Sequence, residues 1–316
     1  MDLGTTSLPA SLARALEPVL QKQCLNQLTP IRWFRTDWQR SGAATGFSTW
    51  THQDGREEEV VVKFPVVLRE LRWTRRMQDC DGIVPKLLTS GIGLGGYDLA
   101  WIVIERLPFG PLGKHWDDHI IKRIANAAAA FTSAAREFPV DRLGRFEDWD
   151  DLLLRAKKSV KVNSIEDSRT WLKLHKWLGK SLTDILDVWR ARHTREWLHG
   201  DVHLANSMCR SDADDAPVCL IDLAEVHSGH WVEDAIYLER QLWGHHSRLV
   251  SSNPLKTMAK ARKSIGLKVS DDYVELANIR RLLLAATAPA FMQSEGDPRY
   301  LHACLEQFQI ATEQLQ

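Results

Sequence analysis

The sequence predicts an α+β protein in two parts, a small antiparallel sheet with one key helix over residues 1–108 and a mainly helical part over 109–316. Three observations predict it. Between Ile31 and Leu107, short runs of β-branched and aromatic residues recur, and the Asp54-Gly55 pair among them is a strong hairpin signal. Pro108-Phe-Gly-Pro-Leu-Gly113 then breaks the pattern and marks the boundary. Beyond it, apolar residues recur every three to four positions through most of the chain, as helices require.

Composition narrows the function classes. The 316 residues, 44% hydrophobic and 26% charged, are ordinary for a folded globular chain and suffice for two cores or two lobes. Lys plus Arg total 41 and Asp plus Glu total 41, so no net field draws nucleic acid or an anionic membrane. Arg72, Arg75 and Arg76 read as one solvated helix face. Five scattered cysteines with no Cys-x-x-Cys pair argue against a disulfide scaffold or zinc knuckle and fit a reducing compartment. Met1-Asp2-Leu3-Gly4 lacks the basic-then-apolar pattern of a leader, and no apolar run of about 18 residues occurs. The expectation is a cytoplasmic protein with no nucleic acid, membrane or obligate protein partner.

Residues 7–28 show helical spacing at Leu12, Leu16, Val19 and Leu20. Strands follow at Ile31–Thr36, Phe47–His52 and Glu59–Phe64. Between the first two lies Ser41-Gly42-Ala-Ala-Thr-Gly46, whose small residues let backbone approach a ligand closely. Lys63 closes the Val60-Val61-Val62 run, and Pro65 is a favoured helix start. In that helix Glu70 shares a face with Val66, Val67, Trp73 and Met77. A buried carboxylate needs a partner, and Lys63 is the natural one. Two further strands, around Lys86–Ser90 and Leu99–Leu107, are joined through the glycine-rich turn from Gly91 to Gly96. Helices are expected at 114–137, 148–161, 167–193, 235–248, 254–266, 271–292 and 298–314. The thirteen tryptophans read as core.

The chemistry concentrates in Trp197-Leu-His-Gly-Asp-Val-His-Leu-Ala-Asn206 and in a short apolar strand, Val218–Ile221, that ends on Asp222. Phosphoryl transfer from Mg-ATP needs a carboxylate to orient the attacking hydroxyl, plus an amide oxygen and a second carboxylate for the metal. Asp201 would be the catalytic base, and Asn206 and Asp222 the Mg²⁺ ligands. A rival is open at this point. His199, Asp201 and His203 alternate, so in a strand they would share one face and could hold Zn²⁺ or Fe²⁺ for a metallohydrolase.

The order His199-Gly200-Asp201-x-x-x-x-Asn206 resembles the catalytic loop of the aminoglycoside phosphotransferase and choline kinase family. Its fold is similar to that of protein kinases, with Gly where those carry Arg in His-Arg-Asp. The resemblance implies a two-lobed protein-kinase-like fold with Lys63 on the α- and β-phosphates and Glu70 as its partner. It places the Ser41, Gly42 and Gly46 loop over the phosphates and a hinge at Glu105–Leu107 whose backbone groups bind adenine. Gly229-His-Trp-Val-Glu-Asp-Ala-Ile-Tyr-Leu238 resembles the family's Gly-Asp-Pro-x-x-Asp-Leu segment. Asp234 there would brace the catalytic loop by accepting its backbone N–H groups, with His199 packing the loop as structural support. Three departures stand out: no Gly-x-Gly-x-x-Gly in the loop, only seven residues from Lys63 to Glu70, and His230-Trp231 in the bracing segment.

The implied activity is ATP-dependent phosphorylation of a small-molecule hydroxyl on an aminoglycoside-, amino alcohol- or sugar-like acceptor. Glu225 and Glu233 would attract an amine-bearing substrate; ordinary surface charge is their plain alternative. A protein-kinase-like enzyme is disfavoured, because no activation segment or Ala-Pro-Glu follows Asp222. A non-catalytic nucleotide-binding regulator is disfavoured because every catalytic group is present. The metallohydrolase leaves the upstream sheet and Lys63 unexplained. Kinase chemistry requires the Lys63 ammonium to point at Asp222.

Overall fold

Five strands form one antiparallel sheet in the order β1-β2-β3-β5-β4: β1 (Arg32–Phe34), β2 (Ala44–Thr51), β3 (Glu57–Phe64), β4 (Leu87–Gly91) and β5 (Trp101–Glu105). The computed structural model describes residues 8–34, 43–80, 82–114, 116–117, 119–140 and 147–316, without the side chains of 8–12 and 294. The predicted hairpin closes at Asp54-Gly55, where Gly55 takes a φ of +82° and the His52 N–H donates to the Arg56 carbonyl at 2.8 Å.

The period of two along β3 sorts its residues onto two faces. Val60, Val62 and Phe64 are fully buried on one face, where they share a core with Ala13, Leu16 and Leu20 of helix α1 (Leu8–Gln23). Glu17 of α1 accepts from the Ile31 N–H and the Trp33 indole, both at 2.7 Å, which fixes the helix to β1. Lys63 therefore lies on the other face, opposite Ile102 of β5. That face is covered by α2 (Leu68–Arg76), whose Leu71 packs with Val66, Ala100 and Ile102.

Helix α2 begins at Leu68, later than its proline suggested. Val66 first donates its N–H to the Ala100 carbonyl at 2.8 Å, so the chain stays extended past Pro65. Val67 consequently lies outside the buried face and is exposed, whereas Glu70, Leu71, Trp73 and Thr74 are buried.

Four more strands form two ribbons: β6 (Glu196–Leu198) pairs with β9 (His227–Gly229), and β7 (Ser207–Cys209) with β8 (Val218–Leu220). The remaining helices are α3 (Ile120–Ala135), α4 (Trp149–Val162), α5 (Ser168–Ala191), α6 (Val232–Glu239), α7 (His246–Ser252), α8 (Pro254–Ser264), α9 (Tyr273–Thr287), α10 (Met292–Glu295) and α11 (Pro298–Gln314). Two expected helices are shorter than their periodicity. The run at 235–248 divides into α6 and α7 because Gly244 takes a φ of +85°. The run at 271–292 ends at Thr287, just before Pro289 enters a 3-10 turn. Among the described residues, no helix is long and apolar enough to cross a membrane.

The chain divides into two compact units, residues 1–112 with 205–226 and residues 113–204 with 227–316. A boundary after residue 108 would leave the β7–β8 hairpin with the helical part. The hairpin instead joins the sheet-bearing unit, for three physical reasons. Phe109 and Cys209 form a β-bridge, the Leu220 N–H donates to the Ile83 carbonyl at 2.8 Å, and Arg210 donates to the carbonyls of Gly82 and Val84.

In the second unit, burial sets a pH dependence. His230 is buried, takes the Val232 N–H on Nδ1 at 3.3 Å, and has its pKa pushed down to about 4, chiefly by burial. Below an unfolded-state pKa near 6.5 the unfolded chain binds a proton that the folded chain lacks, so stability falls as pH drops from 6.5 through about 4. From pH 7 to pH 4, His230→Gln is expected to remove up to about 3 kcal/mol of that loss, read from chemical unfolding at each pH. Parallel wild-type and variant curves would contradict it.

Candidate active site

In the first unit the central feature is Lys63. Its ammonium lies 2.8 Å from Glu70 Oε1 on α2 and 3.3 Å from Asp222 Oδ1. Sheet register and helix packing account for the first contact, since Lys63 faces α2 and Glu70 is on the buried side of that helix. Burial acts most strongly on Lys63 and pulls its pKa down, but the Glu70 and Asp222 carboxylates outweigh it and leave the group above its ordinary value. The lysine is charged at neutral pH, and Glu70 is not an unpaired buried charge.

The β7–β8 hairpin brings Asn206 and Asp222 to one end. Ser207 pairs with Leu220, and the Asn206 carbonyl accepts the Ile221 N–H at 3.0 Å, so Asp222 is the next residue along. Asp222 holds a φ of +64°, an uncommon conformation for a non-glycine residue that recurs at functional sites. Its side chain is 40% exposed. An amide oxygen and a carboxylate are hard donors of the type Mg²⁺ takes.

The expected hinge lies in the same unit. Glu105 ends β5, and its carboxylate is held by the Arg210 guanidinium and by the Lys86 N–H at 2.8 Å. The N–H groups of Glu105 and Arg106 are taken by the Lys86 and Glu59 carbonyls. That of Leu107 has no protein acceptor among the described residues. Gly46 lies inside β2 rather than in the phosphate loop. A Cβ there would collide with the Ile31 side chain and stand 3.1 Å from Trp33, so close strand packing is what requires the glycine. Ser41 and Gly42 lie outside the described residues.

In the second unit, β6 delivers the chain to a loop at His199, and α6 runs alongside it. Asp234 accepts the His199 N–H at 3.1 Å and the Gly200 N–H at 2.9 Å. One turn on, Tyr237 acts on the Asp201 carboxylate and favours its anion; one turn further, Gln241 accepts the Leu204 N–H at 3.0 Å. Positions 234, 237 and 241 form one helical stripe that holds successive loop residues. Burial pushes the Asp234 carboxyl up to about 6, against the pull of His227 and the Gly200 N–H.

Asp201 has a second partner, since His203 Nε2 stands 3.4 Å from its Oδ2. Burial is the largest influence and favours the neutral carboxyl, but His203 and Tyr237 together hold Asp201 well below the ordinary carboxylate range. His199 does not join them. It is fully buried, its ring stands edge-on to Phe131 at 5.7 Å, and its Nδ1 accepts the Asp201 N–H at 3.3 Å.

Two expectations are corrected by these positions. The strand that would align His199, Asp201 and His203 ends at Leu198, so alternation does not carry past it, and His199 packs into the core. Among the described residues, no group of three or more His, Cys, Asp or Glu side chains is arranged to hold a metal ion. Glu233 is not available to a substrate either. It is buried, lies 3.0 Å from Arg192 Nε, accepts the His230 N–H at 2.8 Å, and stands 3.5 Å from His227 Nε2. Glu225 is exposed at the end of a 3-10 turn. The sequence reading missed Tyr237, although its place three residues after Asp234 in a helix was a usable signal.

A profile of the phosphotransferase enzyme family (APH) matches residues 37–250. No match is found among curated proteins. Among solved structures, an aminoglycoside-3'-phosphotransferase of type VIII is 19% identical and superposes with a TM-score of 0.51, covering 86% of this chain and 98% of that one. The GDP complex of wild-type aminoglycoside 2'-phosphotransferase-IIIa is 12% identical with a TM-score of 0.56, covering 98% and 100%. A microcompartment-associated aminopropanol kinase is 13% identical with a TM-score of 0.59, covering 94% and 97%. At such identities the likeness carries the fold, while the profile, which spans most of the chain, carries the family. The protein therefore belongs to the phosphotransferase enzyme family and has the protein-kinase-like fold of the aminoglycoside phosphotransferases.

Proposed function

We propose that this protein transfers the γ-phosphoryl group of ATP to a hydroxyl of a small molecule. The observation that carries the reading is the Lys63 ammonium shared between Glu70 and Asp222, residues far apart in sequence whose meeting phosphoryl transfer requires.

Lys63 supplies a fixed positive charge for the α- and β-phosphates, oriented by Glu70. Asn206 and Asp222 would hold Mg²⁺, which when bound neutralises charge on the phosphates. The N–H of Leu107 is the hinge group open to adenine. Asp201 accepts the hydrogen bond of the acceptor hydroxyl and aims its oxygen at the γ-phosphorus. The new oxygen–phosphorus bond forms as the bond to the β,γ-bridging oxygen breaks, ADP departs, and the hydroxyl proton passes to the Asp201 carboxylate. Positioning and charge stabilisation account for most of the rate in such a reaction. An amine-bearing or sugar-like acceptor fits the family, and of the two glutamates expected near a substrate, Glu225 is the one exposed at the surface.

Thermal shift separates this function from metal-dependent hydrolysis. Mg-ATP or Mg-GTP is expected to raise the melting temperature and Zn²⁺ alone to leave it unchanged; the reverse pattern would refute the kinase. Release of ADP across aminoglycosides, amino alcohols, sugars and nucleosides then identifies the acceptor class.

A further inference from the structure

We propose that His203 and Tyr237 are positioning residues that clamp the Asp201 carboxylate, so that one of its oxygens is presented to the acceptor hydroxyl in a fixed direction. The proposal deepens the phosphotransferase reading and rests on its assignment of Asp201.

The clamp is built from two sides. His203 is two residues on in the loop, and its Nε2 stands 3.4 Å from Asp201 Oδ2. Tyr237 comes from α6, and its hydroxyl acts on the same carboxylate, favouring the anion. The two rings also pack on each other, with centroids 6.3 Å apart and planes tilted by 38°. Behind them the Arg240 guanidinium lies 4.6 Å from the centre of the Tyr237 ring and is itself tied to Glu295 at 2.7 Å. Tyr237 is thus backed by an ion pair reaching α10, and burial holds its hydroxyl protonated, as a donor must be. The backbone of the loop is fixed by other atoms, the Asp234 carboxylate and the Gln241 amide. Helix α6 and the 3-10 turn Arg240–Leu242 that continues it therefore separate the tasks: positions 234 and 241 hold main chain, and position 237 acts on the reacting side chain.

Two donors on one carboxylate have a chemical consequence. They stabilise its anion and weaken it as a base, so Asp201 orients the hydroxyl more than it deprotonates it. Loss of either neighbour is expected to loosen the χ2 torsion of the carboxylate and with it the aim of its oxygen.

The test is steady-state ADP release from Mg-ATP, with water, kanamycin and 1-amino-2-propanol as acceptors. His203→Ala and Tyr237→Phe are each expected to lower kcat by about 10- to 100-fold at an unchanged KM for ATP. His203→Gln, which keeps an N–H donor, is expected to recover most of the loss. His203 is partly exposed and Tyr237→Phe keeps the ring, so both variants retain the packing, which an unchanged melting temperature verifies. If His203→Ala or Tyr237→Phe turns over within twofold of wild type, or if Gln at 203 is as impaired as Ala, the clamp is wrong. Asp201→Ala is the control for the parent reading. Full turnover in that variant would sink the role of Asp201, whereas a dead Asp201→Ala beside active clamp variants would sink the clamp alone.

Discussion

Asp201→Ala is expected to lower ADP release by about 10²–10⁴-fold while leaving ATP affinity nearly unchanged. The asymmetry follows from where the contacts of Asp201 go. Its carboxylate stands 3.4 Å from His203 Nε2, in its own unit. Lys63, Glu70 and Asp222 form their own ion-pair set in the sheet-bearing unit and remain intact when Asp201 is truncated. The measurement is a pair: kcat from coupled ADP release and nucleotide affinity from calorimetry. Wild-type turnover in the variant would remove Asp201 from the mechanism; loss of nucleotide binding would show that it serves the phosphates instead of the acceptor. Asp201→Asn is a finer probe, because it keeps the shape and removes the charge that accepts the proton.

Lys63→Met is expected to reduce both stability and turnover, and a second substitution separates the two. Removing the ammonium leaves Glu70 buried without its 2.8 Å partner, and Asp222 adds a like charge. Breaking a buried pair by deleting one member costs about 3–5 kcal/mol. Turnover is expected to fall by about 10²-fold or more, the scale seen when a fixed donor to developing charge is lost. In Lys63→Met/Glu70→Met the orphaned carboxylate is gone as well, so unfolding stability is expected to return close to wild type while turnover stays low. If the double variant regained turnover, Lys63 would be a structural residue only.

Much of this was legible beforehand because it rests on local rules. The period of two in Val60-Val61-Val62-Lys63, the Asp54-Gly55 turn and the breaker run at 108–113 each depend on a few adjacent residues. So does the grouping of His199, Gly200, Asp201 and Asn206. The expected pairing of Lys63 with Glu70 needed one further step, that a carboxylate on an apolar helix face must have a partner. What escaped depends on which neighbour a residue meets. Glu233 and Glu225 look alike in sequence, yet Arg192, His227 and the His230 N–H consume the first and leave the second at the surface. Gly46 reads as part of a flexible loop until Ile31 is seen to occupy the space where its side chain would go.

The linear sequence alone determined the α+β architecture and the order along the chain of the groups proposed for phosphoryl transfer. Hydrophobic periodicity, turn chemistry and motif spacing are properties of short stretches, which is why they survive without a structure. Tertiary packing alone decided that the Asn206–Asp222 hairpin joins the sheet-bearing unit, that Lys63 divides its charge between Glu70 and Asp222, and that Tyr237 reaches Asp201 from a helix more than thirty residues later. Each of these is a long-range contact between polar groups. Its partner is chosen by burial and hydrogen-bond geometry, neither of which leaves a periodic trace in the chain.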